Sequence, residues 1–266
     1  MSDTTTSSPV AQAVADARTS RKGALVGYLP IGFPDLTTSV DAAVALVESG
    51  VDILELGLPY SDPVMDGTVI QAAAQQSLSN GFKIPHLFEA VRQIRSQVSA
   101  PALVMTYWNP VLQFGVERFA DELAAAGGAG LITPDITPDS AADWIAASDR
   151  VGLDRVFLAA PTSTNERLRQ ATEASRGFVY AVSTMGVTGA RASVDDAARA
   201  LVGRLRDAGA DSVCVGIGIS TGEQVSEVLS YADGAIVGAM LVKSLADGGV
   251  AGVRAAASSL AAGTAR

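Results

Sequence analysis

Eight short apolar runs, each followed by a longer helical pattern, recur along this chain, and that alternation leaves few folds open. The runs fall at 24–30, 52–57, 101–106, 129–133, 154–159, 177–183, 212–217 and 233–238. Helical periodicity is read over 37–49, 67–79, 85–98, 116–127, 139–148, 164–175, 194–208, 221–230, 239–247 and 250–262. Cap residues such as Asp139, Thr164 and Ser193 open several of these helices, and Gly50, Gly81, Gly127 and Gly209 close others. Eight strand–helix units in about 250 residues predict one α/β domain, a (β/α)8 barrel over 10–266. A short extra N-terminal helix is expected over 10–20, behind a disordered tail at 1–9. The competing fold is an open doubly wound sheet, which carries a glycine-rich dinucleotide turn after its first strand. Here the first strand runs into Pro30-Ile31-Gly32-Phe33-Pro34, without that spacing, so the barrel is preferred.

A barrel places its chemistry at the C-terminal ends of its strands. The second strand ends in Glu55-Leu56-Gly57-Leu58-Pro59-Tyr60-Ser61-Asp62-Pro63-Val64-Met65-Asp66-Gly67. Alternation puts Ile53, Glu55 and Gly57 on one side and Leu54 and Leu56 on the other, so Glu55 points into the lumen. A carboxyl among apolar neighbours resists ionisation, and an acid poised near neutrality suits proton transfer. The alternative is a buried glutamate held for structural reasons. Asp66, in the loop that follows, favours function. Asp-Pro and Asp-Gly also form ordinary turns, so one of Asp62 and Asp66 is expected to be structural, with Asp62 extended and pointing outward before Pro63.

Glycine-rich segments follow the last three strands: Gly186-Val187-Thr188-Gly189, Gly216-Ile217-Gly218-Ile219-Ser220 and Gly234-Ala235-Ile236-Val237-Gly238-Ala239-Met240. Barrels bind phosphate there through backbone N–H groups, and these segments predict such a site. No Walker lysine pattern is present, which argues against nucleotide hydrolysis.

Composition narrows the reaction. A net charge of −9 argues against a nucleic-acid or anionic-membrane partner. The single cysteine excludes an intrachain disulfide framework and fits a reducing compartment. With no signal-peptide pattern and no apolar run of membrane-spanning length, a soluble cytoplasmic protein is expected. Lys22, Lys83 and Lys243 all lie outside the strands, so a Schiff-base aldolase lacks its lysine. His86 is the only histidine, is read as a surface or capping residue, and leaves no ligand set for a metal aldolase. Cys214 reads as core. Trp108 and Trp144 could line a pocket or simply pack. What remains is carboxylate acid–base chemistry on a phosphorylated small molecule, with no metal.

At these residues the chain resembles the tryptophan synthase alpha subunit family. Leu54 through Pro63 with Asp66-Gly67, then Gly186-Val187-Thr188-Gly189, Gly218-Ile219-Ser220 and the Gly238 turn match in order, across about Arg21 to Lys243. The ELGxPxSDPxxDG pattern is specific; the glycine turns alone are not. The resemblance implies retro-aldol cleavage of indole-3-glycerol phosphate to indole and glyceraldehyde 3-phosphate. It assigns Glu55 and Asp66 to catalysis, with Tyr28 against the indole ring and Tyr180 near the glutamate. Thr188 would sit on a loop closing over Asp66, and Gly189, Gly218, Gly238 and Ala239 would hold the phosphate. It implies no cofactor in this chain and a pyridoxal-phosphate beta subunit as partner, in an alpha2-beta2 heterotetramer that receives indole through a tunnel. Pro59, Asp62, Trp108 and Asn109 would lie at that interface. An exposed Trp108 suits a partner surface, and a lid over the pocket is equally compatible.

The sequence departs from the family at Ala239, where many relatives carry serine, and at Thr184-Met185, which replaces a more polar pair. Asp135 after the fourth strand would serve interface or loop communication. Alternative readings are a stand-alone lyase, a non-catalytic regulatory subunit, and another phosphate-binding barrel such as an isomerase.

Overall fold

A computed structural model of the chain describes residues 8–182, 191–216 and 218–265, with 191–195 as backbone only. Its eight strands are β1 Ala24–Pro30, β2 Ile53–Gly57, β3 Ala102–Met105, β4 Gly130–Thr133, β5 Asp154–Ala159, β6 Val179–Val182, β7 Val213–Gly216 and β8 Gly234–Val237. All neighbours pair in parallel, and β8 pairs back onto β1, closing the barrel.

Both faces of these strands are buried, which is why they read as nearly continuous apolar runs. Outward residues such as Leu25, Leu54, Leu56, Val104 and Leu131 pack under the helices. Inward residues such as Val26, Ile53, Leu103, Ile132, Val156, Cys214 and Ile236 fill the lumen. Each large aliphatic side chain so buried contributes about 1.5–3 kcal/mol.

The N-terminal helix α1 (Pro9–Ser20) begins one residue before the expected start, with Ser8 as N-cap. Its Val10, Val14 and Ala17 join the lumen cluster and close the barrel at the N-terminal end of the strands. Asp154 at the start of β5 holds it there. One carboxylate oxygen accepts from the Ser8 hydroxyl at 2.8 Å and the Val10 N–H at 3.3 Å. Arg176 Nε lies 3.3 Å from the other oxygen, an ion pair without hydrogen-bond alignment.

The outer helices are α2 Leu36–Glu48, α3 Thr68–Ser79, α4 Ile84–Arg95, α5 Trp108–Phe114, α6 Val116–Ala125, α7 Ala142–Val151, α8 Asn165–Ala174, α9 Arg191–Asp207, α10 Gly222–Val228 and α11 Ala239–Ala262. Four points differ from the sequence reading. The short α5 was not foreseen; Pro110 lies inside its seven residues and disguises it. Asp139 is not the cap of α7: Pro138–Ser140 form a separate 3-10 turn and α7 starts at Ala142. The two helices expected over 239–247 and 250–262 are one, α11, kinked at Gly249, whose φ of 59° few other residues tolerate. Ser193 also lies inside α9 rather than at its start. Thr164 does cap α8, accepting from the Arg167 N–H, and His86 Nδ1 accepts the Lys83 N–H at the start of α4.

Candidate active site

The C-terminal mouth of the barrel holds a cavity of about 240 Å³. Glu55 forms part of its wall, paired in register with Tyr28 on β1 and Leu103 on β3. Its side chain is 1% exposed, and its Oε2 has no hydrogen-bond partner among the described residues. Burial, with a smaller contribution from the Asp66 charge, pushes its pKa up to about 8. A buried carboxyl without partners is costly in a folded protein, and one kept neutral on a cavity wall is ready to give up a proton.

Asp66 reaches the same cavity from the β2–α3 loop. Burial raises its pKa, and a hydrogen bond from Tyr107 opposes that rise. The Tyr107 hydroxyl donates to Asp66 Oδ1 at 3.2 Å. Tyr28 and Tyr180 complete the polar wall, their phenols kept protonated first by burial and then by the Glu55 charge and, for Tyr28, that of Asp66. Two inward glycines make room for them. A Cβ on Gly57 would strike the Tyr28 hydroxyl, and one on Gly216 would strike that of Tyr180. Met65, Ile70, Met105, Leu158, Val182 and Ile236 give the cavity its apolar surface.

Gly218, Gly238 and Ala239 also line the cavity, Gly238 beside the Tyr28 ring. Gly238 is the N-cap of α11 and makes no side-chain cap hydrogen bond, and with Ala239 it lines the cavity, so this long helix starts at the cavity wall. That is the positive end of the helix dipole, and no lysine or arginine lines this cavity among the described residues. An anion held here would be held by backbone. Gly218 has φ of 65°, which its lack of a side chain permits.

The mouth therefore gathers Glu55, Asp66, Tyr28, Tyr180, Gly218, Gly238 and Ala239 around one space. Thr188, Gly189 and the Thr184-Met185 pair lie outside the described residues. The four expected interface residues divide. Asp62 is exposed, as expected, and accepts from the Ser61 hydroxyl. Asn109 is exposed and donates to the Tyr60 hydroxyl at 3.3 Å. Pro59 is buried within the chain itself. Trp108 is half-buried against the outer core rather than exposed, and its backbone N–H donates to Asp135 Oδ1 at 2.8 Å. Trp144 is fully buried core, away from the cavity, and Cys214 is buried in the lumen. Among the described residues, the exposed large apolar side chains are Val64, Met65, Val69 and Leu112.

Tyr107 was not singled out as a partner of Asp66, since nothing local links residues 41 apart. The apolar wall was more accessible: extending the period-two alternation along β3, β5 and β8 turns Met105, Leu158 and Ile236 inward with Glu55.

The family model for the tryptophan synthase alpha chain matches residues 14–263. A tryptophan synthase alpha chain from Leifsonia xyli subsp. xyli is 67% identical, covering 97% of this chain and 99% of that one. That of Mycobacterium avium is 56% identical, covering 92% and 90%. Among solved structures, a Mycobacterium tuberculosis tryptophan synthase chain superposes with a TM-score of 0.91 at 50% identity, covering 98% of this chain and 99% of that one.

Proposed function

The chain belongs to the tryptophan synthase alpha chain family, and from that membership we propose that Glu55 and Asp66 carry its reaction. The activity is retro-aldol cleavage of indole-3-glycerol phosphate to indole and glyceraldehyde 3-phosphate, with indole passing to a beta subunit for tryptophan synthesis. The family carries no cofactor of its own; pyridoxal phosphate belongs to the beta subunit.

Cleavage needs one proton delivered and one removed. Glu55, neutral at the cavity wall, gives its proton to indole C3, leaving a positive charge spread onto the ring nitrogen. Glu55, now a carboxylate, takes the proton from the hydroxyl on the carbon attached to C3. The O–H electrons form the aldehyde carbonyl, the carbon–carbon bond breaks, and its electrons restore the indole ring. Glu55 ends protonated, as it began. Asp66 accepts the indole N–H and stabilises the charge that develops there. Tyr28 bounds the indole, and Gly218, Gly238 and Ala239 with the α11 N-terminus receive the phosphate. The family resemblance adds Thr188 and Gly189 to that set. The proton steps fall to carboxyls because the cavity's described lining offers two of them and no lysine. No described helix is long and apolar enough to cross a membrane; with the single cysteine, this supports placing the chain in the cytoplasm.

One observation carries the assignment: Glu55 is buried, has an oxygen without a partner among the described residues, and shares a cavity with Asp66. The test is indole release from indole-3-glycerol phosphate, with and without a beta subunit. Glu55→Gln is expected to abolish cleavage while substrate still binds. Asp66→Asn is expected to slow it on the order of 10²-fold. Near-normal turnover by Glu55→Gln would sink the role given to Glu55, and rapid turnover without a beta subunit would favour a stand-alone lyase.

A further inference from the structure

Tyr107 stands behind the cavity wall at the N-cap of α5 and is not itself among the residues lining the cavity. Its hydroxyl makes two bonds to consecutive residues of the β2–α3 loop. It donates to the Asp66 carboxylate at 3.2 Å and accepts the Met65 N–H at 2.9 Å. A bond to the carboxylate alone would leave the backbone free to swing, and a bond to the backbone alone would leave the carboxylate free to turn. Both together fix where Asp66 starts and where it points.

Among the described residues the Asp66 backbone has one further tie, from Gln71 Nε2, which donates to its carbonyl oxygen at 2.7 Å. Val64 is 78% and Met65 50% exposed, so the apolar residues beside Asp66 are only weakly packed. The Tyr107 ring, by contrast, is buried and lies 5.3 Å from the Tyr60 ring. The next residue, Trp108, donates its N–H to Asp135 on the loop after β4. The β3–α5 corner is thus fastened on one side to the loop carrying Asp66 and on the other to the loop after β4.

We propose that Tyr107 is a positioning residue for the reaction, aiming the Asp66 carboxylate at the bound indole nitrogen. The proposal rests on the role given to Asp66 above. Among the described residues, the titratable groups facing Asp66 are Glu55 on β2, Tyr28 on β1 and Tyr107 itself. Of these, Tyr107 is the one whose hydrogen bond holds the Asp66 pKa down against burial. Its own pKa is pushed up to about 12, chiefly by burial, so it remains a donor across the working range.

The test uses the alpha chain assembled with its beta subunit, and compares Tyr107→Phe, Asp66→Asn and the double variant. Tyr107→Phe removes a single oxygen and keeps the buried ring. It is expected to lower kcat about tenfold, leave KM within about twofold, and move the acid limb of the pH–kcat profile upward. In the Asp66→Asn background it should cost nothing further. An unchanged kcat and acid limb, or a further tenfold loss on top of Asp66→Asn, would overturn the proposal. A slow Asp66→Asn beside an intact Tyr107→Phe would overturn it alone, whereas an Asp66→Asn chain with normal turnover would remove the role of Asp66 as well.

Discussion

Gly57 lies directly beneath the Tyr28 hydroxyl, so that any side chain at 57 would occupy the space the phenol needs. Gly57 pairs with Pro30 across β1 and β2, two register steps beyond the Tyr28–Glu55 pairing, so it sits diagonally from Tyr28 on the same face. Gly57→Ala is therefore expected to push Tyr28 into the cavity or out of the wall. Kinetics of indole release should show kcat/KM reduced about tenfold or more, and denaturation should show a loss of about 1–3 kcal/mol from overpacking. Wild-type kinetics would show that the Tyr28 ring does not shape the substrate site.

Glu55 makes stability depend on pH with a definite sign. The folded carboxyl holds its proton up to about 8, against an ordinary value of 4.5. Between those values the unfolded chain binds fewer protons than the folded one, so rising pH favours unfolding. From this group alone the slope reaches about 1.4 kcal/mol per pH unit. Glu55→Gln removes that dependence, so urea midpoints of the variant should gain on those of the wild type between pH 5 and 8. Parallel curves would show that Glu55 ionises normally in the folded protein. The same group gives a basic limb to kcat/KM near pH 8, since the acid form is the one that starts the reaction.

Ala239 opens α11 at the anion side of the cavity. Ala239→Ser adds a hydroxyl at the first position of the helix that starts on the cavity wall. One hydrogen bond to a charged group should lower KM for indole-3-glycerol phosphate by about three- to tenfold, with kcat within about twofold. A KM that does not move would place the phosphate away from the α11 N-terminus.

Asp154→Ala removes the acceptor for Ser8 and Val10 and the counter-charge of Arg176. Breaking this buried set should cost about 3–5 kcal/mol. Amides of α1 should exchange faster, while kcat stays within a few-fold because the cavity lies at the other end of the strands. Unchanged exchange in α1 would show that Val10 and Val14 hold the helix without Asp154.

The barrel itself was legible because parallel strands buried on both faces leave unbroken apolar runs, and because Gly50, Gly81, Gly127 and Gly209 do take positive φ where helices end. Glu55 was legible for the same reason: a lone carboxyl within such a run is conspicuous, and strand parity fixes its direction. The rim was harder. Its loops are ordered by contacts between distant residues, such as Trp108 with Asp135 and Tyr107 with Asp66, and periodicity carries no trace of these. Exposure misled for a related reason. Trp108 reads as exposed beside a proline turn, yet it packs half-buried against the outer core. Asp139 looks like a helix cap, but Pro138 two residues after Ile136 sets up a 3-10 turn first.

The helix that fills the far end of the lumen makes the barrel a cup rather than a pipe. With Val10 and Val14 as its floor, whatever is cleaved beside Glu55 departs across the rim formed by the strand ends. On the role proposed for this site, a protein receiving the product would meet that rim, where the loop carrying Asp66, Gly238 with Ala239, and the exposed Val64, Met65 and Leu112 lie. Entry of one molecule, exit of another and docking of the receiver thus compete for the same few loops, and their order in time becomes a property of those loops rather than of the barrel beneath.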